Sequence, residues 1–129
     1  MGKRTPLIAG NWKMYKTSAE AAETARQLVD LTTDVEAVDI MIAPTFTALE
    51  AVCGVVAGSR VSLGAQNLYW EKEGAYTGEI SSAMLVAAGC RYVIIGHSER
   101  RQFFGDTDET VNNKIKAALD AGLIPVMCV

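Results

Sequence analysis

The chain has 129 residues, half of them hydrophobic, and a formal net charge of −3. This length corresponds to about one domain, and the acidic balance argues against a nucleic-acid partner or a membrane-surface partner. No apolar stretch approaches the roughly 20 residues that span a bilayer, and the N-terminus shows no signal-peptide core. We therefore expect a cytoplasmic protein that has enough apolar side chains for a core.

The three cysteines, Cys53, Cys90 and Cys128, are odd in number and widely spaced. Such a set fits reduced, mostly buried thiols in a cytosolic protein better than a disulfide framework. The chain has one histidine and no C-x-x-C pair, so it offers no plausible structural zinc site. We expect no metal centre.

Apolar runs recur along the chain at intervals of roughly 20 to 35 residues and predict five strands. These runs are almost continuously apolar, which is typical of parallel strands covered on both faces. Pro44 ends the second run because it cannot donate to a strand ladder. The predicted strands are Leu7–Gly10, Val38–Ala43, Val61–Ala65, Tyr92–Ile95 and Ile124–Val129.

Four helices are predicted between these strands. Thr17 and Glu20 form a capping box that begins the first helix, which runs through Leu31. The second lies around Leu49–Val56 and ends at Gly58. Capping residues and a terminal glycine also bound the other two helices. The third runs from Ser81 or Ser82 to Ala88. The fourth begins at Asp106 or Thr107 and ends at Gly122, and its apolar positions are Val111, Ile115, Ala118 and Leu119.

Strand–helix alternation predicts an α/β fold made of right-handed crossover units. Two architectures are compatible with five such strands. One is an open, doubly wound sheet, and the other is slightly more than half of an eight-stranded barrel, whose usual length is about 250 residues. Hydrophobic periodicity does not distinguish them.

Two polar stretches directly follow predicted strands. Asn11–Lys13 follows the first strand, and Gly96–Arg101 follows the fourth. Parallel sheets place their chemistry at the carboxyl ends of the strands, so an amide, an ammonium and the only imidazole of the chain are candidates for one site. No G-x-G-x-x-G motif and no P-loop is present, which weakens the case for a nucleotide-type phosphate site.

Ordered motifs extend this pattern over the whole chain: Gly10–Met14, Ala43–Pro44, Gly64–Asn67, Gly74–Glu79, Ile94–Arg101 and Pro125–Val129. On these motifs the chain closely resembles the N-terminal half of the triosephosphate isomerases. The resemblance implies a (β/α)8 barrel of which residues 1–129 form a single, incomplete domain with strands one to five and helices one to four. It also implies a homodimer without a dissociable cofactor, which interconverts dihydroxyacetone phosphate and glyceraldehyde 3-phosphate in glycolysis and gluconeogenesis.

The resemblance also implies roles for particular residues. Asn11 and Lys13 bind the substrate, Lys13 offsets phosphate and enediolate charge, and His97 donates a hydrogen bond to the substrate oxygens. Ser98 and Glu99 lie beside these groups and support them. The family is itself the standard example of a histidine kept neutral by a helix N-terminus, and of a loop that closes over its substrate.

Each of these positions also has a simpler structural interpretation. A lone histidine after a strand is more often a capping or core residue than a catalyst. Asn11 could tolerate a left-handed turn, and Glu99 could interact with the helix dipole in the first turn after His97. Thr77 lies in the loop that, in the family, reaches into the partner subunit's pocket, but it could be an ordinary turn residue.

In the family, the glutamate that abstracts the proton and the mobile lid lie in the second half of the barrel, and this chain stops at Val129. We therefore expect the isolated chain to be inactive unless a C-terminal half complements it. The alternative is a non-catalytic, self-associating half-barrel, because its first and fifth strands would be unpaired edges and its interior side chains would lack an opposite wall. A third possibility is a doubly wound domain that binds a phosphorylated small molecule.

Overall fold

The computed structural model describes residues 2–129 and contains one five-stranded parallel sheet. Its strands lie in the order in which they occur along the chain. A doubly wound sheet reverses its strand order at a switch point, whereas sequential order is that of a barrel. The half-barrel is therefore confirmed and the doubly wound alternative is wrong. The strands are β1 (Leu7–Asn11), β2 (Asp39–Ala43), β3 (Val61–Ala65), β4 (Tyr92–Ile95) and β5 (Ile124–Met127).

The structure has five α-helices among the described residues, one more than the sequence predicted. Four match the predicted positions, and a 3₁₀ turn at Phe46–Ala48 precedes the second. The additional helix follows His97, spans six residues and buries none of them, so it carries no apolar periodicity to reveal it. The helices are α1 (Ser18–Leu31), α2 (Leu49–Val56), α3 (Ser82–Ala87), α4 (Ser98–Phe103) and α5 (Asp108–Asp120).

Side-chain caps fix the starts of three helices at predicted residues. Thr17 and Glu20 form the predicted capping box of α1. The hydroxyl of Ser81 accepts from the backbone of α3, and that of Thr107 does the same for α5. These hydroxyls satisfy backbone N–H groups that the first helical turn leaves without a partner.

Two hydrophobic clusters lie on opposite faces of the sheet. The larger one fills the space between the strands and the helices. The smaller one lines the interior of the half-barrel and centres on Met41, Ala43, Tyr92 and Ile94. Met41 lies over Gly64 so closely that a Cβ at position 64 would be 2.6 Å from its Sδ atom.

The interior side chains of the half-barrel were expected to lack an opposite wall, but those of its central strands are not left exposed. Met41, Tyr92 and Ile94 are all buried, although they belong to the interior face. The apolar surface is exposed at the two edges instead. Ile8, which pairs with Ile40, is 59% exposed, and Met127 at the opposite edge is 50% exposed.

Helix α5 also differs from its prediction in the side chains that it buries. Val111 and Ala118 are buried as expected, but Leu119 is exposed. Lys114 occupies a core position of this helix and is only 3% exposed. Within residues 2–129, none of the helices is long and apolar enough to cross a bilayer.

We expect the 129-residue chain to self-associate through its edge strands. β1 and β5 each pair with a strand on one side only, and unpaired apolar edges recruit other chains. Replacement of Ile8 and Met127 by Lys places a charge on each edge. Sedimentation at micromolar concentration then shifts toward the 13.8 kDa monomer.

Leu31→Lys is the matched control, because Leu31 is also an exposed apolar residue but lies at the end of α1, away from the sheet edges. This variant keeps the association state of the unmodified chain. If the unmodified chain sediments as a sharp monomer, or if all these lysine variants behave alike, the edges do not drive association.

Candidate functional site

The carboxyl ends of β1, β3 and β4 surround one cavity. It has a volume of about 170 Å³ and is lined by side chains from these strand ends, from α4 and its C-terminal neighbour Phe104, and by Phe46 of the turn after β2. Asn11, Lys13, His97 and Glu99 all contribute to it. The structure therefore brings together the residues that the two polar stretches of the sequence pointed to.

The turn after β1 is held by the side chain of Asn11. Its Oδ1 atom accepts a hydrogen bond from the backbone N–H of Lys13 at 2.9 Å. The left-handed residues of this loop are Lys13, with φ of 53°, and Lys16, with φ of 73°, rather than Asn11 as the simpler interpretation had it. A non-glycine residue in this region indicates local strain, and here the Asn11 hydrogen bond supports it.

Gln66 is a site residue that the sequence analysis did not single out. It lies just beyond β3, and its Nε2 donates to the backbone oxygens of Lys13 and Ala43, each at 2.8 Å. One amide thus connects the ends of β1, β2 and β3. Its only signal in the sequence was its place within the motif Gly64–Asn67.

Lys13 and Glu99 form an ion pair across the cavity, although they are 86 residues apart in the sequence. The Lys13 Nζ donates to Glu99 Oε1 at 2.7 Å. This hydrogen bond, with the attraction of the opposite charges, raises the pKa of Lys13 above 10.5. The same hydrogen bond lowers the pKa of Glu99 below 4.5. Both groups are therefore charged throughout the neutral range.

His97 caps the N-terminus of α4 with its ring. Its Nδ1 accepts a hydrogen bond from the backbone N–H of Glu99 at 3.1 Å. A neutral imidazole has one donor and one acceptor nitrogen, so the ring proton of the neutral form is assigned to Nε2 from this hydrogen bond. The capping interpretation is confirmed, and Nε2 remains as a donor.

The structure does not bring all the candidate residues into the cavity. Ser98 begins α4 with an exposed side chain and does not line the cavity. Thr77 is exposed in the loop between β3 and α3, also outside the cavity. Glu99 lies in the first turn of α4, as its helix-dipole interpretation required.

The described residues contain no cluster of His, Cys, Asp or Glu that could hold a metal ion. All three cysteines are free thiols, but the expectation that they are mostly buried is wrong, since Cys53 and Cys128 are only partly buried. Cys90 is buried, and this burial raises the pKa of its thiol to about 12. Such a thiol is unreactive at neutral pH because the thiolate is the nucleophile.

Comparisons with known proteins agree with this geometry. The family model described as triosephosphate isomerase matches residues 6–129. Triosephosphate isomerases of Geobacter metallireducens and Carboxydothermus hydrogenoformans are each 57% identical over 126 residues, which is 98% of this chain and 50% of the relative. The crystal structure of triosephosphate isomerase from Bartonella henselae matches with a TM-score of 0.92 and 38% identity, over 98% of this chain and 52% of that one. The chain thus spans about half the length of the curated relatives it matches.

The Lys13–Glu99 pair predicts a defined pH dependence. Because the pKa of Glu99 is lowered in the folded chain, its contribution to stability is present above pH 4.5 and is lost as the pH falls through the lowered value. The contribution of Lys13 is present below pH 10.5 and is lost as the pH rises through its raised value. Lys13→Met raises the pKa of Glu99 toward 4.5, which a carboxyl ¹³C titration by NMR measures.

Lys16→Met is the control for this titration. Lys16 belongs to the same loop but lies over the Trp12 ring instead of contacting Glu99. The substitution Lys16→Met leaves the pKa of Glu99 unchanged. An unchanged Glu99 titration in Lys13→Met would show that the ion pair does not form in solution.

Proposed function

Because the chain belongs to the triosephosphate isomerase family, we propose that it supplies the electrophilic half of an isomerase site. The site interconverts dihydroxyacetone phosphate and glyceraldehyde 3-phosphate. The observation that supports this most is the convergence of Lys13 Nζ and the His97 ring on one cavity at the carboxyl end of the sheet. No cofactor is proposed.

Isomerisation of a triose phosphate passes through an enediolate. It needs a base for the C–H proton and donors aimed at the oxygen on which negative charge develops. In the proposed site, His97 donates from Nε2 to the substrate oxygens, and the Lys13 ammonium offsets the charges of the phosphate and the enediolate. Asn11 uses Oδ1 within its own turn, so its amide N–H₂ is available to the substrate.

Glu99 is not the base in this proposal. Its carboxylate is engaged by Lys13, and that hydrogen bond lowers its pKa, which makes it a weaker proton acceptor. By family resemblance, the glutamate that abstracts the proton lies in the half of the relatives that this chain does not cover. The complete reaction therefore requires a C-terminal half.

The proposal includes a homodimer in which Thr77 reaches the partner's pocket. Two large apolar side chains that line the cavity are exposed, namely Met14 and Phe104. Exposed apolar surface of this kind marks interaction sites. Within the loop that carries Thr77, the rings of Tyr69 and Tyr76 contact each other at a tilt of 47°, with centroids 4.8 Å apart.

The cellular setting follows from the same proposal. Three free thiols fit a reducing compartment, and the triosephosphate reaction belongs to glycolysis and gluconeogenesis. We therefore place the protein in the cytoplasm.

A second candidate function is a non-catalytic half-barrel that self-associates as a folding or assembly module. The exposed apolar side chains Ile8 and Met127 of the two edge strands favour it, since they pair in register with the core residues Ile40 and Ile95. Turnover in the presence of a complementary half separates the two candidates, because the assembly module does not require Lys13 or His97 to be reactive.

Complementation in trans tests the proposed function. The 129-residue chain alone gives no isomerase turnover above background. When it is co-refolded with the C-terminal half of the Geobacter metallireducens relative, activity appears. His97→Gln and Lys13→Met each reduce this activity on the order of 10²-fold or more, the usual effect of removing a donor to a developing oxyanion.

Lys16→Met is again the matched control and retains the complemented activity. Full activity of the His97→Gln or Lys13→Met mixture would show that these residues are not the electrophiles. Turnover by the chain alone would show that the base lies within residues 1–129.

A further inference from the structure

Lys114 is a buried lysine for which the proposed reaction has no use. It lies in α5 and is 3% exposed, and lysines are almost never buried unless they are paired. Its Nζ donates to Asp106 Oδ1 and to Asn67 Oδ1, each at 2.9 Å. Both partners are themselves buried.

Asp106 extends this cluster to the helix that follows His97. Its second oxygen, Oδ2, accepts from Arg100 Nε at 3.1 Å, and its backbone N–H donates to the Arg100 oxygen at 3.1 Å. The cluster thus joins the end of β3, the short helix α4 and the long helix α5. Within the described residues, no buried side-chain nitrogen or oxygen lacks a hydrogen-bond partner.

Helix α4 depends on such contacts for its orientation. It has six residues, none of them buried, and short helices are marginal without tertiary packing. Apolar contacts therefore do not determine where α4 points. The directional bonds of Arg100 to Asp106, and of Asp106 to Lys114, connect it to the well-packed α5.

The orientation of α4 in turn determines the hydrogen bond to His97. Glu99 is the second residue of α4, and its backbone N–H donates to His97 Nδ1. A rotation of α4 away from the cluster would weaken this bond and leave Nδ1 free to carry the ring proton. The other tautomer would then have an acceptor, not a donor, at Nε2.

We propose that Arg100, Asp106 and Lys114 are positioning residues, which hold α4 so that the Glu99 N–H occupies His97 Nδ1 and the ring proton stays on Nε2. The relevance of this tautomer to catalysis rests on the proposed function. The positioning of α4 does not depend on the proposed function, because it is a property of the chain without substrate.

The test uses the only histidine of the chain. The imidazole signals of a ¹⁵N-labelled sample report on His97 alone, so its tautomer ratio is measured without assignment ambiguity. In Arg100→Met and in Lys114→Met, we expect the ratio of the Nε2–H form to the Nδ1–H form to fall roughly threefold to tenfold, as expected for the loss of one hydrogen bond. Hydrogen exchange of the Glu99 amide accelerates by a similar factor.

Asp108→Asn is the matched control. Asp108 also belongs to α5 and also pairs with an α4 arginine, since Arg101 Nη1 donates to its Oδ1 at 2.8 Å, but this pair is exposed. Removal of that pair leaves the His97 tautomer ratio and the Glu99 exchange rate unchanged.

Arg100→Met tests the proposal even if Lys114→Met fails to fold. It leaves the ion pair of Asp106 and Lys114 intact with zero net charge, so no buried charge is left without a partner. A folded Arg100→Met with an unchanged tautomer ratio and unchanged Glu99 exchange overturns the proposal. Failure of the complementation assay together with altered tautomers would contradict the proposed function and leave this inference intact.

Discussion

The sequential order of five parallel strands is the constraint on which the site depends. Each right-handed crossover places the next strand beside the previous one, so all carboxyl ends face the same side. This arrangement brings residues that follow the first strand and residues that follow the fourth strand into one cavity. The 2.7 Å contact between Lys13 and Glu99, 86 residues apart, is a direct result.

Glu99 links the two electrophiles of the proposed site through different atoms. Its carboxylate accepts from Lys13, while its backbone N–H donates to His97 Nδ1. A small movement of α4 therefore affects both the ammonium and the imidazole. The buried cluster around Asp106 supports this six-residue helix through its half-buried Arg100 side chain, since the helix has no fully buried side chain of its own.

The strands and four of the helices could be predicted because burial leaves a periodic apolar pattern and caps leave recognisable residues. Periodicity alone did not give the strand order, since it records which residues are buried and not which strands are neighbours. The half-barrel order was expected from the resemblance of the motifs to the triosephosphate isomerases, and it is confirmed. Helix α4 escaped prediction because it buries no side chain. The core position of Lys114 was not predicted, because a lysine is normally a surface residue. Its partner Asn67 is 47 residues away, and its partner Asp106, eight residues away, lies outside the helix that carries Lys114.

Zero-length cross-linking of the folded chain with a carbodiimide tests most directly whether the strand ends meet as described. The reagent joins an amine to a carboxylate only when the two groups are in contact. The structure predicts an amide between Lys13 Nζ and Glu99, which are 2.7 Å apart, found by mass spectrometry in the peptides of the monomeric fraction. Linkage of Lys13 to other carboxylates, with no Lys13–Glu99 product, would contradict the account.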